Sequence, residues 1–160
     1  MRRRACLALL VGTAAAAGGC GFRLQGRETL PESLRTLRVD ADERQSDFVL
    51  SLREGLQRAG ARLVPEGTAG AARVRVLRDE IIERVLTVSS RNIPTDYELT
   101  HELRFAVDGP DGKELLPPED LSLTRIYSFD ERRLLAKERE KDLLVAALAR
   151  DMASVVLRRL

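Results

Sequence analysis

The chain has no tryptophan, two tyrosines, four phenylalanines and one histidine in 160 residues. Aromatics make up 4% of it, too few for a surface on which bases could stack. A formal net charge of +2, from 27 basic and 25 acidic side chains, excludes a generally basic nucleic-acid binder. One histidine and two cysteines cannot supply a metal cluster of the usual ligand spacing, and Cys/His catalysis is absent if Cys6 leaves with a signal and Cys20 carries lipid. No GxSxG, HExxH or SxxK pattern occurs. These absences argue against an enzyme, a metal or a cofactor, and leave binding. The composition, 44% hydrophobic and 32% charged, is that of a folded chain of a length suited to one compact domain.

The excess positive charge sits at the front. Arg2, Arg3 and Arg4 precede an apolar run from Ala5 to Ala17, followed by Gly18, Gly19 and Cys20. A basic start, a short apolar stretch and a small-residue exit form a secretory signal. The run falls short of the about 20 residues that span a bilayer. A buried helix is the alternative reading, but glycines 12, 18 and 19 disfavour it and three arginines cannot enter a core. Ala17-Gly18-Gly19-Cys20 resembles the bacterial lipobox, with Ala17 where leucine is usual. Cys20 would then carry diacylglycerol and a further acyl chain; ordinary signal cleavage, leaving a free thiol, is the alternative. Cys6 leaves with the signal, so the mature chain holds no disulfide. Several acyl chains would fix it to a membrane. Gly21, in place of the aspartate that retains lipoproteins in the inner membrane, implies delivery to the outer one. Without residues 1–19 the chain has 24 basic and 25 acidic side chains, so the excess positive charge belongs to the signal.

Residues 20–31 read as a tether and 32–160 as a single domain. Leu34 to Val39 suits a strand that Asp40 ends. Ser46 can cap a helix carrying Phe48, Val49, Leu52 and Leu56, with Gly60 as its stop. Arg73 to Ser89 is β-like, with a phase slip near Val76-Leu77 that predicts a bulge. Tyr97, Leu99, His101, Leu103, Phe105 and Val107 alternate with polar residues as one face of a strand. Gly109-Pro110-Asp111-Gly112 turns the chain, and Leu121 to Phe129 forms a further strand that Pro117-Pro118 keeps from starting earlier. A long helix from about Asp130 to Arg158 carries Leu144, Leu148, Met152 and Val155 as its apolar stripe. The order predicts an α+β domain: a two-layer sandwich of two helices packed on a mixed, about four-stranded sheet.

His101 lies in the apolar phase of its strand and is expected to be packed, not catalytic. Asp79-Glu80 and Glu119-Asp120 are neighbours in strands, so each pair splits between faces, and such charges are usually solvated. Two basic features remain. Arg91 sits in the loop Ser89-Ser90-Arg91-Asn92, and Lys141 and Lys137 continue the last helix's apolar face toward Arg132 and Arg133. Such residues at element ends can bind phosphates, although a solvated, salt-bridged helix end fits the equal mix of charges from Asp130 to Asp142.

Cys20-Gly21-Phe22-Arg23-Leu24 resembles the start of the lipopolysaccharide-assembly lipoprotein family, LptE. Leu30-Pro31, the Arg91-Asn92 loop before Tyr97, the segment Arg125-Tyr127-Phe129-Asp130, Leu135-Ala136-Lys137 and the closing Arg158-Arg159-Leu160 follow in the family's order. The resemblance implies a non-enzymatic, lipid-anchored outer-membrane protein facing the periplasm. It implies a plug within the lumen of the lipopolysaccharide transport barrel LptD, whose assembly it assists, and lipopolysaccharide binding through Arg91 and Lys137. Another lipoprotein interaction module, such as a pilot for a secretion pore, or a periplasmic enzyme of unfamiliar chemistry would fit the residues less well.

Overall fold

The computed structural model describes residues 30–128 and 134–160. The signal, the lipobox with Cys20, and Phe129, Asp130, Arg132 and Arg133 lie outside the described residues. Leu30 packs against the core and a 3-10 turn, Glu32–Leu34, buries Leu34 before β1 (Thr36–Ala41) begins. Asp40 does not end this strand. Its carboxylate lies 3.3 Å from Arg38 two residues back on β1 and 3.8 Å from Arg73 on the neighbouring strand, and these arginines make an aspartate acceptable there.

The helix α1 (Asp47–Arg58) starts at Ser46, whose Oγ accepts the Val49 N–H at 3.2 Å. This satisfies one of the free amides at the helix start. Phe48, Val49, Leu52 and Leu56 are all buried, as their spacing requires. Gly60 then takes φ +92°, a conformation that costs glycine little, and the helix ends. Two residues, Arg62–Leu63, form β2, parallel to β1.

Three long antiparallel strands follow: β3 (Ala72–Val88), β4 (Pro94–Asp108) and β5 (Glu114–Ser128). The sheet order is β2-β1-β3-β4-β5, with β1 parallel to both its neighbours. Leu37, Val39, Val74, Val76, Leu103, Phe105 and Val107 on one sheet face join α1 and the last helix, α2 (Leu134–Leu157), in a single core. The α+β two-layer sandwich is therefore present, with five strands where about four are expected; the extra one is the two-residue β2.

The anticipated bulge is real: pairing with β4 shifts between Val76 and Arg78. The expectation for Pro117 and Pro118 fails, because β5 runs through them. It is the edge strand, where a missing N–H on the open side costs no ladder bond, and its register slips beside them, between Phe105↔Glu119 and Val107↔Leu116. The stripe on α2 also differs by one position. Leu148, Met152 and Val156 are buried, whereas Val155 is only partly covered, since α2 faces both the sheet and α1. The two helices approach closely at Gly55, where an added Cβ would overlap the Leu157 side chain.

The core sets a plain expectation. Leu52→Ala, at a site with no exposure, lowers unfolding stability by about 2–5 kcal/mol in urea titrations. Leu143→Ala, at a side chain in solvent, changes it by less than about 0.5 kcal/mol.

Candidate functional site

β3 has a neighbour on both sides only at its start. β1 pairs with residues 72–76 and then leaves the sheet, while β3 and β4 continue as a hairpin for another dozen residues. A buried polar cluster holds the point of departure. Ser46 Oγ donates to Asp79 Oδ2 at 2.6 Å, and His101 Nε2 lies 2.8 Å from Asp79 Oδ1. The cap of α1 is thereby tied to both strands, and the His101 ring meets Phe48 edge-on at 5.7 Å. Serine and histidine each address the carboxylate, with no bond between them, so the arrangement is a tie and not a nucleophile–base relay. His101 is packed as expected. Asp79 and Glu80 point to opposite faces, also as expected, but Asp79 is not solvated; its carboxylate is 14% exposed. Glu119 and Asp120 likewise divide, one toward Arg159 and the other toward Arg104.

At the far end of the hairpin, the Asn92 N–H donates to the Ser89 carbonyl at 2.9 Å and the Ser89 N–H to the Ile93 carbonyl at 2.8 Å. Asn92 takes φ +61°, a left-handed conformation that asparagine tolerates better than most residues. Arg91 therefore stands at the tip of a defined turn. It is exposed, and no hydrogen bond or ion pair engages it among the described residues.

Lys137 lies in the second turn of α2, which opens six residues after β5 ends beside β4, at the Asp96↔Ser128 pair. The helix start and the hairpin tip thus share one end of the sheet. The Lys137 ammonium is 18% exposed and 2.7 Å from Glu140. One turn on, Lys141 Nζ lies 2.5 Å from Glu83 Oε2 of β3. Glu83 also accepts the Tyr127 hydroxyl of β5, and Tyr127 stacks on Tyr97 of β4 with centroids 5.5 Å apart. Burial would raise the Glu83 pKa, but the bonds from Lys141 and Tyr127 and the lysine's charge outweigh it and leave the pKa below its ordinary 4.5. For Tyr127, burial and the adjacent Glu83 carboxylate push the phenol well above its usual range. The sequence nominated Lys141 by helix periodicity, but Glu83 and Tyr127 gave no signal, being 58 and 14 positions from it in the chain.

The opposite end of the sheet carries a balanced lattice. Asp108 takes Arg73 at 2.5 Å and Arg75 at 3.0 Å, and these arginines hold its pKa below the ordinary range against the opposing effect of burial. These arginines are neutralised within the lattice, whereas Arg91 at the tip has no ion pair among the described residues. Among the described residues, no group of three or more metal-ligating side chains gathers, and no helix is long and apolar enough to cross a membrane.

The family model for LptE, lipopolysaccharide-assembly, matches residues 34–160. The chain belongs to the LptE family. A curated relative, the LPS-assembly lipoprotein LptE of Photorhabdus laumondii, is 24% identical over 161 residues, covering 100% of this chain and 87% of its own. Two solved structures share the LptE fold. Lipoprotein B of Nitrosomonas europaea, solved by solution NMR, aligns with TM-score 0.70 at 23% identity, covering 86% of this chain and 88% of that one. The rare lipoprotein B of Shewanella oneidensis aligns with TM-score 0.67 at 23% identity, covering 78% and 92%. The LptE match includes the hairpin, Arg91 and Lys137, and leaves Cys20 outside it.

The lowered pKa of Glu83 fixes a sign. A carboxylate whose folded pKa is depressed contributes stability above its unfolded pKa and loses it as pH falls through the folded value. Glu83→Gln should therefore cost about 1 kcal/mol at pH 7, and the gap from the parent protein should close as pH falls below 4.5. Urea unfolding at a series of pH values measures it; a gap that stays constant would refute the ion-pair account.

Proposed function

We propose that this chain is an outer-membrane lipoprotein that forms a complex with the lipopolysaccharide transport barrel LptD, assists its assembly, and binds lipopolysaccharide on its way to the cell surface. The observation that carries this reading is the position of Arg91, an exposed cation at the hairpin tip of an LptE-family domain with no counter-ion among the described residues. Lys137 starts from the same end of the sheet. A phosphate approaching Arg91 meets a planar donor able to form two parallel charge-assisted bonds. A phosphate approaching Lys137 must displace Glu140, so this second contact is an exchange of one ion pair for another. The chemistry is non-covalent: the cations replace the counter-ions that pack lipopolysaccharide into aggregates. No bond is made or broken, and no cofactor takes part.

In this reading residues 1–19 are the export signal and Cys20 bears the acyl anchor, with residues 20–31 as the tether. The domain faces the periplasm and fills the barrel lumen, where a charged exterior suits a polar wall. A mature side-chain balance of 24 basic to 25 acidic groups means that affinity for phosphate comes from placement and not from net charge.

Two outcomes follow. Arg91→Glu combined with Lys137→Glu weakens capture of labelled lipopolysaccharide at least tenfold while the barrel still co-purifies; undiminished capture would remove both residues from the site. Cys20→Ala abolishes the acyl mass increment seen by mass spectrometry. An acyl increment that persists would instead place the anchor elsewhere.

A further inference from the structure

The hairpin that presents Arg91 is also the most apolar exposed part of the described surface. Of nine large hydrophobic side chains exposed among the described residues, five lie on β3 from Leu77 onward. Exposed strand edges usually carry charge, and β3 does so as far as Arg84. Beyond it the pattern stops. Val85, Leu86 and Val88 are 51%, 47% and 51% exposed, and no charged residue follows until Arg91. Leu86 falls where the pairing shifts between Val85↔Tyr97 and Thr87↔Asp96, so it bulges from the ladder with no partner opposite. The carboxylate across the hairpin, Asp96, is engaged by the Thr87 hydroxyl and sits 3.3 Å from Thr95. A half-exposed apolar run ending in an unpaired guanidinium is a surface that meets a ligand of matching polarity.

We propose that Val85, Leu86 and Val88, with Arg91 at their head, form a docking surface for a phosphorylated amphiphile, whose acyl chains lie along the apolar side chains while its phosphate meets Arg91. This rests on the lipopolysaccharide reading and extends it from the phosphates to the acyl chains. The charge pattern selects this occupant. A second copy of the same stretch brings no acid to Arg91, since residues 85–91 contain none. A partner strand held by backbone bonds leaves the guanidinium unanswered.

The test uses the full chain and two probes: labelled lipopolysaccharide, and the same material with its ester- and amide-linked acyl chains both removed by hydrazine and then hot alkali and its phosphates kept. Val85→Thr with Leu86→Thr and Val88→Thr removes apolar surface while retaining residues that favour strands. This variant should bind intact lipopolysaccharide roughly tenfold more weakly and the deacylated probe as the parent does. Arg91→Glu should weaken both. Should the triple variant unfold, Leu86→Gln, a neutral polar change at the bulged position without a ladder partner, gives the same selective loss, and Leu86→Phe keeps full binding. Parental affinity of the triple variant for intact lipopolysaccharide overturns the docking surface alone. Two other results do the same with lipid affinity unchanged: loss of a dimer by size-exclusion chromatography, or loss of the barrel complex. A parent protein that binds neither probe overturns the lipopolysaccharide reading and this inference with it.

Discussion

One carboxylate stands where the sheet changes from five strands to three. Asp79 follows the bulge at Leu77, immediately after β1 ceases to pair, and it accepts from Ser46 at 2.6 Å and lies 2.8 Å from His101. Without it the cap of α1 would lose its link to β3, and a histidine that is 1% exposed would be left in the core without its polar partner. His101 Nδ1 already has no hydrogen-bond partner among the described residues, so the bond at Nε2 is what makes its burial tolerable. The hairpin beyond this point is free of β1 and α1. Its direction is set by the Asp79 tie at the base and by the Glu83–Lys141 pair further out.

Arginine is placed differently at the two ends of the sheet. Near the base, Arg73 and Arg75 share Asp108, and Arg38 shares Asp40 with Arg73, so each guanidinium is neutralised locally. At the tip, Arg91 has been placed beyond reach of any described carboxylate by a turn that needs a left-handed residue at position 92. Desolvating a paired charge already costs what its partner returns. An unpaired one in water retains its full attraction for an incoming phosphate. The separation is geometric and invisible in a net charge.

Local rules made much of the fold readable. Ser46 and Gly60 bracket α1 because capping and left-handed φ are decided within a few residues. The alternation from Tyr97 to Val107 survived intact because one face of β4 is buried along most of its length. The readings that failed depend on neighbours far away. Asp40 stays in β1 because Arg73, 33 positions later, is beside it. Pro117 and Pro118 stay in β5 because that strand has an open side, which only the sheet order determines. The candidate site followed the same division. Arg91 and Lys137 were legible from loop and helix patterns, whereas Glu83 and Tyr127, which tie Lys141 to the sheet, come together only through the meander.

The mixed sheet also imposes an order of assembly. In the meander, Val88 meets Pro94 across a short turn, and each further antiparallel pair zips from there. The parallel register of β1 joins Leu37 to Ala72, 35 positions apart, with all of α1 inside the loop. Loop-closure entropy grows with length and must be met before such a contact stabilises the chain. The three-stranded meander therefore closes ahead of β1, and α1 docks with the strand that precedes it. A chain folding in this way presents its finished hairpin, Arg91 included, while its amino-terminal strand is still unpaired.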